Sequence, residues 1–260
     1  MKQRVVGAII ILTVLIAGLI ISSKIFGLMM AVVAVLGFNE FFDVKFDKRK
    51  EMEIIRLFGI ICLIVLVLNN VFYKLELNVT ILLPLLMLSI PIIFYNDNSV
   101  YNIVDAMYVV GIVYFLGLSF GNIIYLRDTD IIRCIYIFII AFTTDTFAYI
   151  GGMLIGRHKL TTISPKKTIE GSIIGTLMGT IIGSLYYYNM VGGVTVFRVV
   201  VLSLVLTIIS ELGDLLFSSI KRYFGKKDYS NLIPGHGGIL DRFDSIIYVS
   251  LSLSLVLSLF

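Results

Sequence analysis

Apolar runs of bilayer-crossing length recur along the whole chain, separated by short segments that collect nearly all of its charge. A helix needs about 20 predominantly apolar residues to cross a hydrocarbon core roughly 30 Å thick. By that measure the pattern predicts spans at about 5–21, 25–42, 54–73, 79–95, 103–120, 131–150, 171–188, 197–218 and 243–260, the first two being an alternative re-entrant pair. In lipid every backbone N–H and C=O must be bonded within its own segment, which leaves helices for runs of this kind. The expected architecture is an all-α polytopic integral membrane protein with about nine transmembrane helices. No Gly/Ser/Pro-rich linker, low-complexity tract or internal repeat divides it, so residues 1–260 are expected to form a single membrane domain.

Composition agrees with this reading. The chain is 58% hydrophobic and 15% charged, with mean hydropathy +1.01, whereas soluble domains carry about 25% charged residues. Lys2 and Arg4 precede the run at 5–21, as in a signal peptide, but that run is longer than a usual signal core and no small-x-small site follows. An uncleaved first span is expected. Cys62 and Cys134 both lie in apolar runs and read as small core residues; without a Cys/His cluster, neither a disulfide nor a zinc site is expected.

The net charge of +4 is small, and its placement bears on topology rather than on nucleic acid. With the N-terminus inside, all but five of the 21 Lys and Arg fall on the cytoplasmic side; the five are Lys24, Lys74, Arg127, Arg133 and Arg198. The positive-inside rule therefore predicts a cytoplasmic N-terminus and an outside C-terminus; the expected location is the plasma membrane.

Two spans carry further marks. Pro84 and Pro91 should bend the fourth. The seventh carries Gly171, Gly175, Gly179 and Gly183 at four-residue spacing, flanked by Ser172, Thr176, Thr180 and Ser184. Such a stripe lets two helix backbones approach closely, either within one chain or at a dimer seam.

A carboxylate at the centre of a membrane helix costs roughly 2.5–3.5 kcal/mol, so acids in these spans are candidates for chemistry. Asp145 lies in the last turns of span 6. Glu211 and Asp214, three apart on one face, lie near the end of span 8, and Asp241 and Asp244 open span 9. In the expected orientation all five fall at cytoplasmic helix ends. Arg157, His158, Lys159, Ser164, Lys166 and Lys167 occupy the loop after span 6. Lys221, Arg222, Lys226, Lys227, His236, Gly237, Gly238 and Arg242 follow span 8. Carboxylates beside Lys, Arg and bare glycine backbone are what a triphosphate site needs: oxygen ligands for Mg²⁺, cations for the remaining phosphate charge, and N–H groups that can approach it. The N-terminus of span 7, just after Lys166 and Lys167, favours an anion as well.

Each piece has a plainer reading. Cytoplasmic Lys and Arg follow from topology alone. Asp241 and Asp244 can cap a helix, Glu211 can be a structural hydrogen-bonding partner, and His158 and His236 can be ordinary loop residues. Glu40 and Asp105 read as interfacial helix-end residues.

The stretch Ser218-Ser219-Ile220-Lys221-Arg222, Lys227-Asp228, Ile233-Pro234-Gly235-His236-Gly237-Gly238-Ile239 and Asp241-Arg242-Phe243-Asp244 forms one continuous pattern. It resembles the signature of the phosphatidate cytidylyltransferase (CDP-diacylglycerol synthase) family without departure. Asp145-Thr146-Phe147-Ala148-Tyr149, Gly156-Arg157, Ser164-Pro165-Lys166-Lys167-Thr168-Ile169-Glu170-Gly171 and Gly213-Asp214 are similar to that family's other motifs, in the same order. The lysine pair stands where Gly-Lys is more usual, which leaves open which lysine matters. The resemblance covers about Thr143 to Ser245, so residues 131–260 are expected to be the catalytic half, and 1–130 resemble the family only as apolar spans.

The resemblance implies transfer of a cytidylyl group from CTP to phosphatidate, giving CDP-diacylglycerol and pyrophosphate, with Mg²⁺ and the option of a second cation. It implies catalytic roles for Lys221, Asp214, Asp241 and Asp244, with Asp214 and Asp241 as metal ligands and Asp244 and Asp145 close by. Arg222, Lys166, Lys167, Ser164, Lys227, His236, Gly237, Gly238 and Arg242 are the expected substrate contacts. A homodimer is an option; no nucleic-acid partner is expected. The nearest rival is a related CTP-dependent enzyme acting on an ether-linked or polyprenyl phosphate. A rival of another class is a cation-coupled transporter, which would place its acids nearer the bilayer midplane.

Overall fold

The structure, a computed structural model, describes residues 16–47, 49–95, 100–232 and 237–258. Among these residues the regular elements are all helices, and an isolated antiparallel bridge pairs Lys159 with Thr168. Beyond a helical segment at 16–21, the helices are α1 (Ser23–Phe46), α2 (Glu53–Leu68), α3 (Leu77–Ser89), α4 (Pro91–Phe94), α5 (Ile103–Thr129), α6 (Ile131–Ile155), α7 (Ile169–Met190), α8 (Val196–Tyr223) and α9 (Leu240–Ser258). A 3₁₀ turn, Lys50–Met52, leads into α2, and a π turn, Asn69–Tyr73, ends it.

Among the described residues, seven rods are long and apolar enough to cross a membrane: Ser23–Phe46, Lys50–Tyr73, Leu77–Phe94, Ile103–Thr129, Ile131–Ile155, Ile169–Met190 and Val196–Tyr223. They coincide with seven of the expected spans. The expected span at 243–260 corresponds to α9, which is outside those seven, and most of the expected first span lies outside the described residues. Several helices outrun their apolar stretches; α5, expected at 103–120, reaches Thr129. Hydropathy marks the segment suited to lipid, whereas the helix continues until a cap ends the hydrogen-bond ladder. Asp47, in the left-handed region at φ 47°, closes α1 by donating its N–H to Asp43 O. Thr168 opens α7 by accepting from the Gly171 N–H at 3.1 Å. Pro84 lies inside α3, and Pro91 starts α4 at a position whose N–H is not needed.

Contacts group the chain into two compact units, residues 1–128 with 228–241, and residues 129–227 with 242–260. In the first, Phe26, Phe38, Phe42 and Phe46 of α1 are wholly buried or nearly so, as are Met52 and Phe120. Two ion pairs tie α1 to its neighbours, Lys45 to Asp105 at 2.8 Å and Arg56 to Asp43 at 2.6 Å.

In the second unit, α7 sits between α6 and α8. Its glycine stripe faces α6: a Cβ on Gly175 would come within 2.7 Å of both Ala148 Cβ and the Thr144 carbonyl, and one on Gly171 within 2.6 Å of the Ala148 carbonyl. The stripe is therefore an intrachain seam. The neighbouring hydroxyls face α8, where Thr180 meets Thr207 at 3.3 Å. Tyr136 of α6 reaches Ser203 of α8 at 2.7 Å.

Candidate active site

The second unit brings three of the expected acids together. Asp145 on α6, Asp214 on α8 and Asp244 on α9 lie near enough for their charges to act on one another. Asp244 is 7% exposed and accepts from the Ser245 N–H at 2.9 Å, while Ser245 Oγ donates to Asp145 Oδ1 at 3.3 Å. Ser218 Oγ donates to Asp214 Oδ1 at 3.4 Å, one helical turn along α8.

Two lysines answer this negative charge. Lys167 Nζ lies 2.5 Å from Asp214 Oδ2, and its charge also reaches Asp145 and Glu211. Lys221 is buried and its charge acts on Asp244. Lys166, beside Lys167 in sequence, is exposed, as are Lys227, Arg222 and Arg242. Ser164 is half-buried; its carbonyl accepts from the Lys167 N–H at 3.0 Å.

The loop carrying Lys167 is built as a narrow hairpin. Leu160 N–H donates to Lys167 O and Ile169 N–H to His158 O, both at 2.9 Å. Glu170, in the first turn of α7, closes its base by accepting from the Arg157 and His158 N–H groups and meeting His158 Nδ1 at 2.6 Å. Arg222 braces the hairpin from α8, with Nε 3.3 Å from Ile163 O and Nη1 2.9 Å from Lys226 O. Glu211 accepts from the Ser172 and Thr176 hydroxyls, the hydrogen-bonding role weighed for it above.

Asp241, Gly237 and Gly238 group with the first unit. Asp241 Oδ2 accepts from the Gly238 N–H at 2.8 Å and the Tyr229 N–H at 3.1 Å, so this carboxylate knits the loop that precedes α9. Glu40, read from sequence as interfacial, is instead buried against the same loop, where it takes the Ser230 hydroxyl and the N–H groups of Ile239 and Leu240. The signal for it was an acid inside the apolar run Gly37-Phe38-Asn39-Glu40-Phe41-Phe42, the feature that singled out the other acids. His236 lies outside the described residues.

Among the described residues no three or more His, Cys, Asp or Glu side chains group closely enough to hold a metal by themselves. The donor chemistry of Asp145, Asp214 and Asp244 fits Mg²⁺, which binds hard oxygens, takes one or two carboxylates and completes its shell with water and substrate phosphate.

A phosphatidate cytidylyltransferase of Staphylococcus haemolyticus is 30% identical to this chain over 262 residues, covering 99% of each. One of Staphylococcus aureus strain N315 is 31% identical over the same length and coverage. The family model described as the cytidylyltransferase family matches residues 2–260. With acids, lysines and loop in hand and a match running almost from end to end, the chain belongs to the cytidylyltransferase family.

Proposed function

We propose that the protein transfers a cytidylyl group from CTP to phosphatidate, giving CDP-diacylglycerol and pyrophosphate, within a single multi-pass membrane domain. The observation that carries this reading is the grouping of Asp145, Asp214 and Asp244 with Lys167 and Lys221 in a chain with seven helices, among the described residues, long and apolar enough to cross a bilayer. Full-length similarity to phosphatidate cytidylyltransferases supports the same reaction.

The chemistry asks for alignment and charge neutralisation more than for covalent help. The phosphate of phosphatidate is already an anion. One of its oxygens attacks the α-phosphorus of CTP, forming the new P–O bond as the bond to the β-phosphate oxygen breaks and pyrophosphate departs. Lys221 and Lys167 neutralise phosphate charge, and Gly237 and Gly238 are substrate contacts assigned from the signature. Arg222, Lys166, Lys227, Ser164, His236 and Arg242 are further substrate contacts assigned from the signature. Asp214, Asp244 and Asp145 would hold Mg²⁺, which supplies positive charge against the triphosphate. The signature alone assigns Asp241 to that metal set.

Positive-inside counting supports a cytoplasmic site with the N-terminus on that side, and the bacterial relatives support the plasma membrane. The test is purified protein in detergent with labelled CTP, Mg²⁺ and a panel of phosphatidate, ether-linked and polyprenyl phosphates. A CDP-diacylglycerol product made from phosphatidate is expected. Product formed only with another lipid would reassign the acceptor, and no CDP-lipid from any acceptor would end the reading.

A further inference from the structure

The described residues place one buried acid against the signature loop from a distant part of the chain. Glu40 is 5% exposed. Its Oε1 accepts from Ser230 Oγ at 2.6 Å and from the Ile239 N–H at 2.8 Å, and its Oε2 accepts from the Leu240 N–H at 2.8 Å. Ile239 and Leu240 open α9, so Glu40 takes up N–H groups that no helical carbonyl can reach and sets its carboxylate at the positive end of the helix dipole. A residue 200 positions away in sequence thus acts as the cap.

Its neighbours on α1 point the same way. Gly37, Glu40 and Phe41 share one face of the helix. A Cβ on Gly37 would meet Leu240 Cδ2 at 2.9 Å, and the Phe41 ring packs edge-on against Tyr229 at 5.2 Å between centroids. A Cβ on Gly238 would come 2.5 Å from either oxygen of Glu40, so the glycine lets the loop lie against the carboxylate. Asp241 meanwhile binds the Gly238 and Tyr229 N–H groups. The loop is held between two carboxylates, one its own and one from α1.

We infer that Glu40 is a positioning residue for the Gly237–Asp241 segment, fixing the backbone of the loop that carries Gly238 and Asp241 and the start of α9. It contacts no substrate in this role. The activity arm of the test rests on the cytidylyltransferase reading; the structural arm does not.

Glu40→Gln is the informative variant. It preserves shape, but an amide presents N–H groups where a carboxylate oxygen now accepts one, so at least one backbone N–H at the start of α9 loses its partner. Full-length Glu40→Gln and Ser230→Ala proteins would be compared with wild type by hydrogen exchange of peptides covering 237–241 and, as control, α7. Thermal melting and CTP-dependent turnover of phosphatidate would be measured alongside. In Glu40→Gln the 237–241 amides should exchange at least tenfold faster, with α7 unchanged, and kcat should fall at least tenfold. Ser230→Ala should have a smaller effect, and the double variant should be no worse than Glu40→Gln. Unchanged exchange in 237–241 would overturn the inference, as would wild-type kcat despite faster exchange, or equal loosening of α7. If wild type itself forms no CDP-lipid, the functional reading fails and the exchange comparison alone decides whether Glu40 holds the loop.

Discussion

Lys167 Nζ lies 2.5 Å from Asp214 Oδ2, whereas Lys166, its neighbour in the chain, is exposed. This contact is the ground for testing Lys167 ahead of Lys166. A hydrogen bond to a charged group contributes about 1.5–3 kcal/mol. Lys167→Ala should lower turnover of phosphatidate by about tenfold or more, and Lys166→Ala by much less, when both are assayed at saturating CTP. Equal losses would mean that Asp214 does not need its lysine.

Asp214→Asn and Asp241→Asn should each reduce activity by orders of magnitude while extraction and melting stay near wild type. An asparagine keeps the size of the side chain and one acceptor oxygen, enough for Asp241 to retain the Gly238 and Tyr229 N–H bonds, but it removes a unit of charge. Chelation should abolish wild-type activity and Mg²⁺ should restore it. Substantial turnover by Asp241→Asn at saturating Mg²⁺ would leave loop capping as that residue's whole role.

Gly175 tests the α6–α7 seam. Its Cβ position is 2.7 Å from a backbone carbonyl, which cannot swing aside as a side-chain tip can. Gly175→Leu should therefore destabilise the protein by about 1–3 kcal/mol or more, read as a lowered Tm in detergent. Gly192, with nothing within 4 Å of its Cβ position, is the control site, and Gly192→Ala should melt as wild type. An unchanged Tm for Gly175→Leu would contradict the close approach.

Topology is tested by labelling. A single cysteine placed within 226–231, in a background lacking Cys62 and Cys134, should react with an impermeant reagent from the cytoplasmic side only. One appended after Phe260 should react from outside only. Labelling of both from one side would change the number of crossings by one.

The helical architecture was readable because apolar runs of bilayer length leave the backbone few alternatives. Helix ends were less so: α5 gains a further turn and more through Asn122, Tyr125, Arg127 and Asp128, polar residues that hydropathy discounts but helical hydrogen bonding does not. The acids stood out because each is expensive in an apolar helix, and Asp145, Asp214 and Asp244 do lie within reach of one another's charge. Glu40 escaped because the same rule was set aside near a helix end. Its partners lie about Ile239 and Leu240, and no local spacing announces a contact across that separation. Likewise, the direction of the glycine stripe depends on which helix presents Ala148 and Thr144 to it, a tertiary fact.

The reach of Glu40 also sets an order of assembly. At about 5–20 residues per second of synthesis, the 200 residues separating it from Leu240 take on the order of 10–40 s to emerge. During that interval α1 has been made, but the amides that its carboxylate will bind do not yet exist. The nascent protein must shelter an acid in a membrane helix until the start of α9 emerges. The segment before α9 acquires this anchor only once residues 239 and 240 have been made, so a product stalled before them would carry Asp145 and Asp214 without a fastened loop.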